Sequence, residues 1–271
     1  LTASTQSSIR RPSAIRSLLV LVLCVVMVTA TACADRQKGV EYEYLRLTVD
    51  GQETLGIAGK DKLIRAVVVY FHDAGDDEFA MTADEPHAKL TSALVNAGFA
   101  VVASRASGDA WGNAASQRNY IYVGGTAAQH YRTENVFFLA DGMGAIAAAN
   151  LLAAGPTVRV RGFAAINPVF DLKAVAPQYE SAVTKMYPDA SIHEVNPMGL
   201  PFNAFKGKAM RFYVSPDDQV VRSDANARAF AARFGSVSDI SVVDCAGNDG
   251  SAACYQGDDL VKWFAEQEKR S

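Results

Sequence analysis

At 271 residues, 49% of them hydrophobic and 20% charged, the chain holds enough apolar material for one sizeable core and reads as globular rather than disordered. Its 26 basic and 29 acidic residues give a formal charge of −3. No broad basic run advertises a nucleic-acid surface, so that class of partner is set aside.

The first 35 residues differ from the rest. Arg10, Arg11 and Arg16, with no acid before Asp35, precede the apolar run from Ser17 to Val28, which is a basic region followed by a hydrophobic one, as in a secretory signal. The run is short for a membrane-spanning helix, which needs about 20 apolar residues. It closes in Thr29-Ala-Thr-Ala-Cys33, which resembles a bacterial lipobox, with Ala30 where leucine is usual. The expectation is a signal peptide over 1–33, lipid on Cys33, a tether over 34–39 and one folded domain over 40–271. The product would be exported and held by its lipid at the outer face of the bacterial cytoplasmic membrane. Loss of the three leader arginines takes the formal charge from −3 to −6. Outside the cytoplasm Cys245 and Cys254, nine positions apart, are expected to pair as a disulfide. Their spacing is not that of a zinc motif, no histidine follows His193, and no metal or cofactor is expected.

In chain order, Glu41 to Val49 alternates apolar and polar residues as a half-buried strand does, and Val67-Val-Val-Tyr-Phe71 is a continuous run suited to a central strand. Leu90, Ala93, Leu94 and Ala97 line one face of a helix beginning at Glu85, Gly98 stops it, and Phe99 to Ala103 returns as a strand. The rhythm repeats: a helix from Ser116 to about Tyr131, a strand over Asn135–Ala140, an alanine-rich helix over Met143–Ala154. Further strands read at Val160–Ile166, Ala209–Val214 and Ile240–Val243, and a last helix at Asp258–Glu268 buries Leu260, Trp263 and Phe264. Such alternation predicts an α/β fold, a mostly parallel central sheet with helices on both faces. The proline-rich stretch 171–205 breaks the rhythm and reads as a small cap.

Four segments in order make the chain resemble the serine α/β-hydrolase superfamily. Tyr70-Phe-His-Asp-Ala-Gly75 sits where the family has a His-Gly pair opening the oxyanion loop, so His72 is retained and Asp73 replaces the glycine. Gly98–Ala103 with Ala110-Trp-Gly-Asn113 matches a strand and following loop. Asn135 to Ala145 is a strand running into a helix, the setting of the nucleophile elbow Gly-x-Ser-x-Gly. Here the motif reads Ala140-Asp141-Gly142-Met143-Gly144, with Gly142 at the serine position and Met143 at that of the second oxyanion donor. Tyr213 to Val221 resembles the strand end bearing the catalytic acid, with Asp218 the better match and Asp217 second. In Gly247-Asn-Asp-Gly250, Asp249 takes the place of the base histidine.

The resemblance therefore implies a degenerate member. Acyl transfer by this route needs a hydroxyl activated by an imidazole, and all four histidines, at 72, 87, 130 and 193, precede Asp218. The expected function is a non-catalytic protein binding a small acyl or ester-like ligand or a cell-envelope protein. A residual or altered esterase is the alternative. Asp141 stands one residue early for a carboxylate nucleophile and should point elsewhere. A cation held by Asp141, Asp218 and Asp249 is weaker than their reading as solvated or capping loop residues. His72 reads as a hydrogen-bonded structural residue, and Trp111 as either packing or pocket lining. His87, His130 and His193 have no recognisable role. On this reading Gly142→Ser with Asp249→His should restore weak esterase activity.

Overall fold

The structure, a computed structural model, describes residues 40–188, 192–246 and 252–270. Cys33 and Asp249 lie outside them. Val40–Ser271 forms one compact unit. Its centre is an eight-stranded sheet: β1 (Tyr42–Val49), β2 (Gln52–Gly59), β3 (Ala66–Phe71), β4 (Phe99–Ser104), β5 (Asn135–Asp141), β6 (Arg159–Ile166), β7 (Ala209–Val214) and β8 (Asp239–Asp244), in spatial order β1-β2-β4-β3-β5-β6-β7-β8. From β4 to β8 all neighbours are parallel, while β2 runs antiparallel to both β1 and β4.

The helices are α1 (Glu85–Asn96), α2 (Ala114–His130), α3 (Gly144–Ala154), α4 (Pro177–Met186), the short α5 (Ile192–Val195), α6 (Ala227–Phe234) and α7 (Gly257–Glu268). Strand alternation sends Val67, Val69 and Phe71 into the core under α2, α3 and α6, and Ala66, Val68 and Tyr70 into the core under α1 and α7. Burying both faces is what makes these strands read as unbroken apolar runs.

The first hairpin departs from the sequence reading. β1 is mostly exposed rather than half-buried, because it is the sheet edge. Its partner β2 has no counterpart among the expected strands: Gly56 and Gly59 dilute its strand signal. Asp50-Gly51 joins the two with φ of +50° and +74°, the geometry that tight hairpins favour.

Between β6 and β7, α4, α5 and two 3₁₀ turns (Pro197–Gly199, Phe202–Phe205) form an excursion. Its Val183 buries itself with Trp111, Met143, Ile146, Val169 and Leu172, so the segment packs on the turn that follows β5. Among the described residues no helix is long and apolar enough to cross a membrane.

Cys245 and Cys254 are joined in a disulfide, tying the end of β8 to the turn before α7. By chain entropy a loop this short contributes about 2–3 kcal/mol. Replacing both cysteines by serine should lower the unfolding free energy by about that amount in a denaturant titration, and reducing agent should destabilise the parent chain but not the variant.

Candidate functional site

Chain order and spatial order diverge around β3: the chain leaves it for β4 on one side, and β5 lies on the other. The loops after β3 and β5 therefore meet beyond the carboxyl ends of the strands, the place where open α/β sheets build sites. A cleft of about 420 Å³ opens there, lined among others by Asp73, Asp76, His87, Asp141, Gly142 and Tyr255. Its size suits a small ligand.

The turn from β5 into α3 puts Gly142 at φ +39°, in the left-handed region that glycine tolerates and other residues resist. Gly142 N–H donates to Ile166 O at 3.1 Å, and its carbonyl accepts from Val169 N at 2.9 Å, so the turn is held from both sides. Two residues on, a Cβ at Gly144 would overlap the backbone of Phe71 and His72. That glycine lets α3 start hard against the end of β3.

Asp73 fills the centre of this turn. Its Oδ1 accepts the Met143 backbone N–H at 2.7 Å, the group that the family resemblance assigns to the oxyanion. A Cβ built on Gly142 would run into the same carboxylate, meeting Oδ1, Cγ and Oδ2 together. The side chain missing at 142 and the side chain gained at 73 thus compete for one space. For the restoration expected from sequence, a side chain at 142 therefore requires the Asp73 carboxylate to swing off the Met143 N–H. Burial, then the nearby Asp141, pushes the Asp73 carboxyl up to about 7, against the pull of the Met143 and Ala74 N–H groups.

Asp141 also departs from expectation. Its side chain points into the cleft and is nearly buried. Oδ2 accepts from Tyr255 OH at 2.6 Å and Tyr70 OH at 3.3 Å, and lies 3.4 Å from His87 Nε2. His87 Nδ1 is 2.7 Å from Oδ1 of Asp84, the N-cap of α1, which also accepts the His87 N–H. Burial opposes charge on this imidazole, but Asp141 and Asp84 outweigh it and raise its pKa to about 9. Burial, then Asp141, pushes the Tyr255 phenol far up. Asp84 and Asp141 thus favour the protonated imidazole, and the phenol beside it keeps its proton.

The remaining expected residues take quieter places. Asp218 lines the cleft, and its Oδ1 accepts from Val220 N at 2.7 Å and Val221 N at 2.8 Å, shaping its own loop. His72 is buried, its ring nitrogens 2.8 and 3.1 Å from the carbonyls of Asp73 and Arg105. Trp111 both packs against Tyr179 and lines the cleft. Among the described residues no cluster of three or more His, Cys, Asp or Glu side chains is arranged for a metal ion.

No family model and no curated protein matches the sequence. Solved structures do. Carboxyl esterase 2 from the mycorrhizal fungus Tuber melanosporum aligns with a TM-score of 0.64 and 14% identity, over 88% of this chain and 89% of its own. Brefeldin A esterase, a bacterial homologue of human hormone-sensitive lipase, gives 0.62 and 14% over 99% and 90%. A thermostable esterase from Pseudomonas putida gives 0.59 and 16% over 95% and 90%. The chain has the α/β-hydrolase fold. In that fold the turn after the central strand carries the nucleophile, and in this chain that turn is the one holding Gly142 and receiving Asp73.

Sequence reasoning passed over His87, Tyr255, Tyr70 and Asp84. The signal for two of them was present: Asp84 is an N-cap before Glu85-Pro86, and the first turn of a helix that follows a parallel strand lies at the site end of the sheet.

A double-mutant cycle tests the shared space. Gly142→Ala should cost about 1–3 kcal/mol, from backbone strain plus displacement of the Asp73 carboxylate; after Asp73→Gly the same change should cost only about 1 kcal/mol, the strain alone. Stability should also respond to pH. Asp73 holds its proton to about 7 while the unfolded chain releases it near pH 4, so folding loses stability as pH rises through that window. Asp73→Asn should melt with the parent at pH 4 and several degrees above it at pH 8. His87 acts in the same direction over a higher window, but as a stabilising contribution: it is full below about 6.5 and lost as pH rises through about 9. His87→Gln should therefore be less stable at pH 6, with the deficit fading above pH 9.

Proposed function

We propose that this chain is a non-hydrolytic, ligand-binding protein on the α/β-hydrolase fold, exported and held at a bacterial membrane by lipid on Cys33. The observation that carries the reading is the Asp73 carboxylate on the Met143 N–H, within the space a nucleophile's Cβ would need. A fixed carboxylate on that donor competes with any developing oxyanion, so the group that would stabilise acyl transfer is already engaged. The leader sequence and the Cys245–Cys254 disulfide support export. The ligand class the sequence implies is small and acyl or ester-like, and the size of the cleft suits it.

The alternative, an altered esterase, draws support from the esterase neighbours and from a histidine standing in the cleft. Against it, His87 stands between two carboxylates, hydrogen-bonded to Asp84 through Nδ1 and within ion-pair distance of Asp141 at Nε2, and the phenol beside it has a raised pKa.

A panel of short-chain nitrophenyl esters and a fluorophosphonate probe should give no turnover and no labelling above buffer. Hydrolysis abolished by Asp141→Asn or His87→Gln would establish the alternative. Asp73→Gly, Gly142→Ser and Asp249→His together should show weak esterase activity, above that of Gly142→Ser with Asp249→His, in which the Asp73 carboxylate must first leave the Met143 N–H.

A further inference from the structure

We infer that the pole of the domain opposite the cleft is a docking surface for the anionic phospholipid headgroups of a membrane. At the amino ends of β6 and β7 a cavity of about 240 Å³ is lined by Arg159, Arg161, Lys208, Arg270 and Gln267. Arg161 is fixed there, its Nε donating to Asn135 Oδ1 and its Nη1 to the Arg270 carbonyl, both at 2.8 Å. Asp239 neutralises Arg270 at 2.5 Å, but among the described residues no carboxylate stands within ion-pair distance of Arg159, Arg161 or Lys208. Gln267 is buried, yet neither its amide nitrogen nor its oxygen has a hydrogen-bond partner. A buried amide left unpaired is costly, and beside unpaired cations a phosphate oxygen is a fitting acceptor for its N–H.

Two features assign this chemistry to a membrane rather than to a free anion. The first is where the chain enters the fold. β1 and β4 are both antiparallel to β2, so β1 starts at the same end of the sheet as the parallel strands, and Val40 lies at that end, five strands across from β6. Seven residue steps from Cys33 to Val40 reach at most roughly 25 Å, so a lipid on Cys33 would keep this end near the bilayer. The second is charge segregation. The chain is net acidic, with Asp73, Asp76, Asp84, Asp141 and Asp218 gathered at the cleft, while the unpaired cations stand at the other end. An anionic leaflet attracts one pole and repels the other within a Debye length of about 8–10 Å, which turns the cleft toward the solvent.

The test uses residues 40–271, the compact unit, without leader or anchor, so that attachment by lipid does not mask the surface. In vesicle sedimentation at low salt, partition should favour mixed phosphatidylglycerol–phosphatidylcholine vesicles over pure phosphatidylcholine by about tenfold or more, and high salt should abolish the preference. Arg159→Glu with Lys208→Glu should remove it with an unchanged melting temperature; if that pair misfolds, Arg159→Gln with Lys208→Gln should weaken it in graded fashion. Equal partition into the two vesicle types overturns the proposal. So does a preference that survives the charge changes, or a thermal shift with inorganic phosphate in a protein that ignores anionic vesicles.

Discussion

The Asp73 carboxylate resting on the Met143 N–H is the contact on which the character of this site depends. Helix and strand meet tightly at the turn after β5, and the left-handed backbone at Gly142 leaves a hollow beside it. In an acyl-transfer site that hollow holds the nucleophile, with the N–H reserved for charge that develops in the transition state. Here it holds a carboxylate from the neighbouring loop in the ground state. Glycine at 142 and aspartate at 73 share one space: the carboxylate lies where a side chain at 142 would begin.

The charges around the contact follow from it. Asp73 drives up its own pKa by being enclosed near Asp141, and Asp141 in turn is met by two phenols and the His87 imidazolium. An enclosed carboxylate needs donors or counter-charge, and Tyr255, Tyr70 and His87 supply both. Tyr255 comes from the segment after β8, directly beside the Cys254 half of the disulfide. The cross-link thus steadies the backbone that brings the phenol to Asp141.

Much of the architecture was legible because buried parallel strands and amphipathic helices write different periods. The runs 67–71 and 135–140 and the helix from Glu85 lie where the residues put them. β2 escaped because its glycines hide it. Gly142, Asp73 and Met143 could be singled out by their places in the strand–turn–helix sequence, since local motif order survives at low identity. Their mutual contact could not, because residues 70 apart meet only through sheet order. His87 escaped for the same reason: without knowing that α1 begins at the edge where Asp141 ends, a histidine in a first turn has no visible partner. Asp141 was misread because its side-chain direction depends on the phenols that reach it from β3 and from the segment after β8.

The measurement that bears most directly on this account is a pH titration of the Met143 backbone amide by NMR. If the Asp73 carboxylate occupies its N–H, the amide resonance should shift with a midpoint near 7, matching the Asp73 carboxyl, and Asp73→Asn should flatten the curve. A Met143 amide insensitive to pH across that range, or one whose titration survives the Asn replacement, would show that the donor is open and that the site is not closed in the way described.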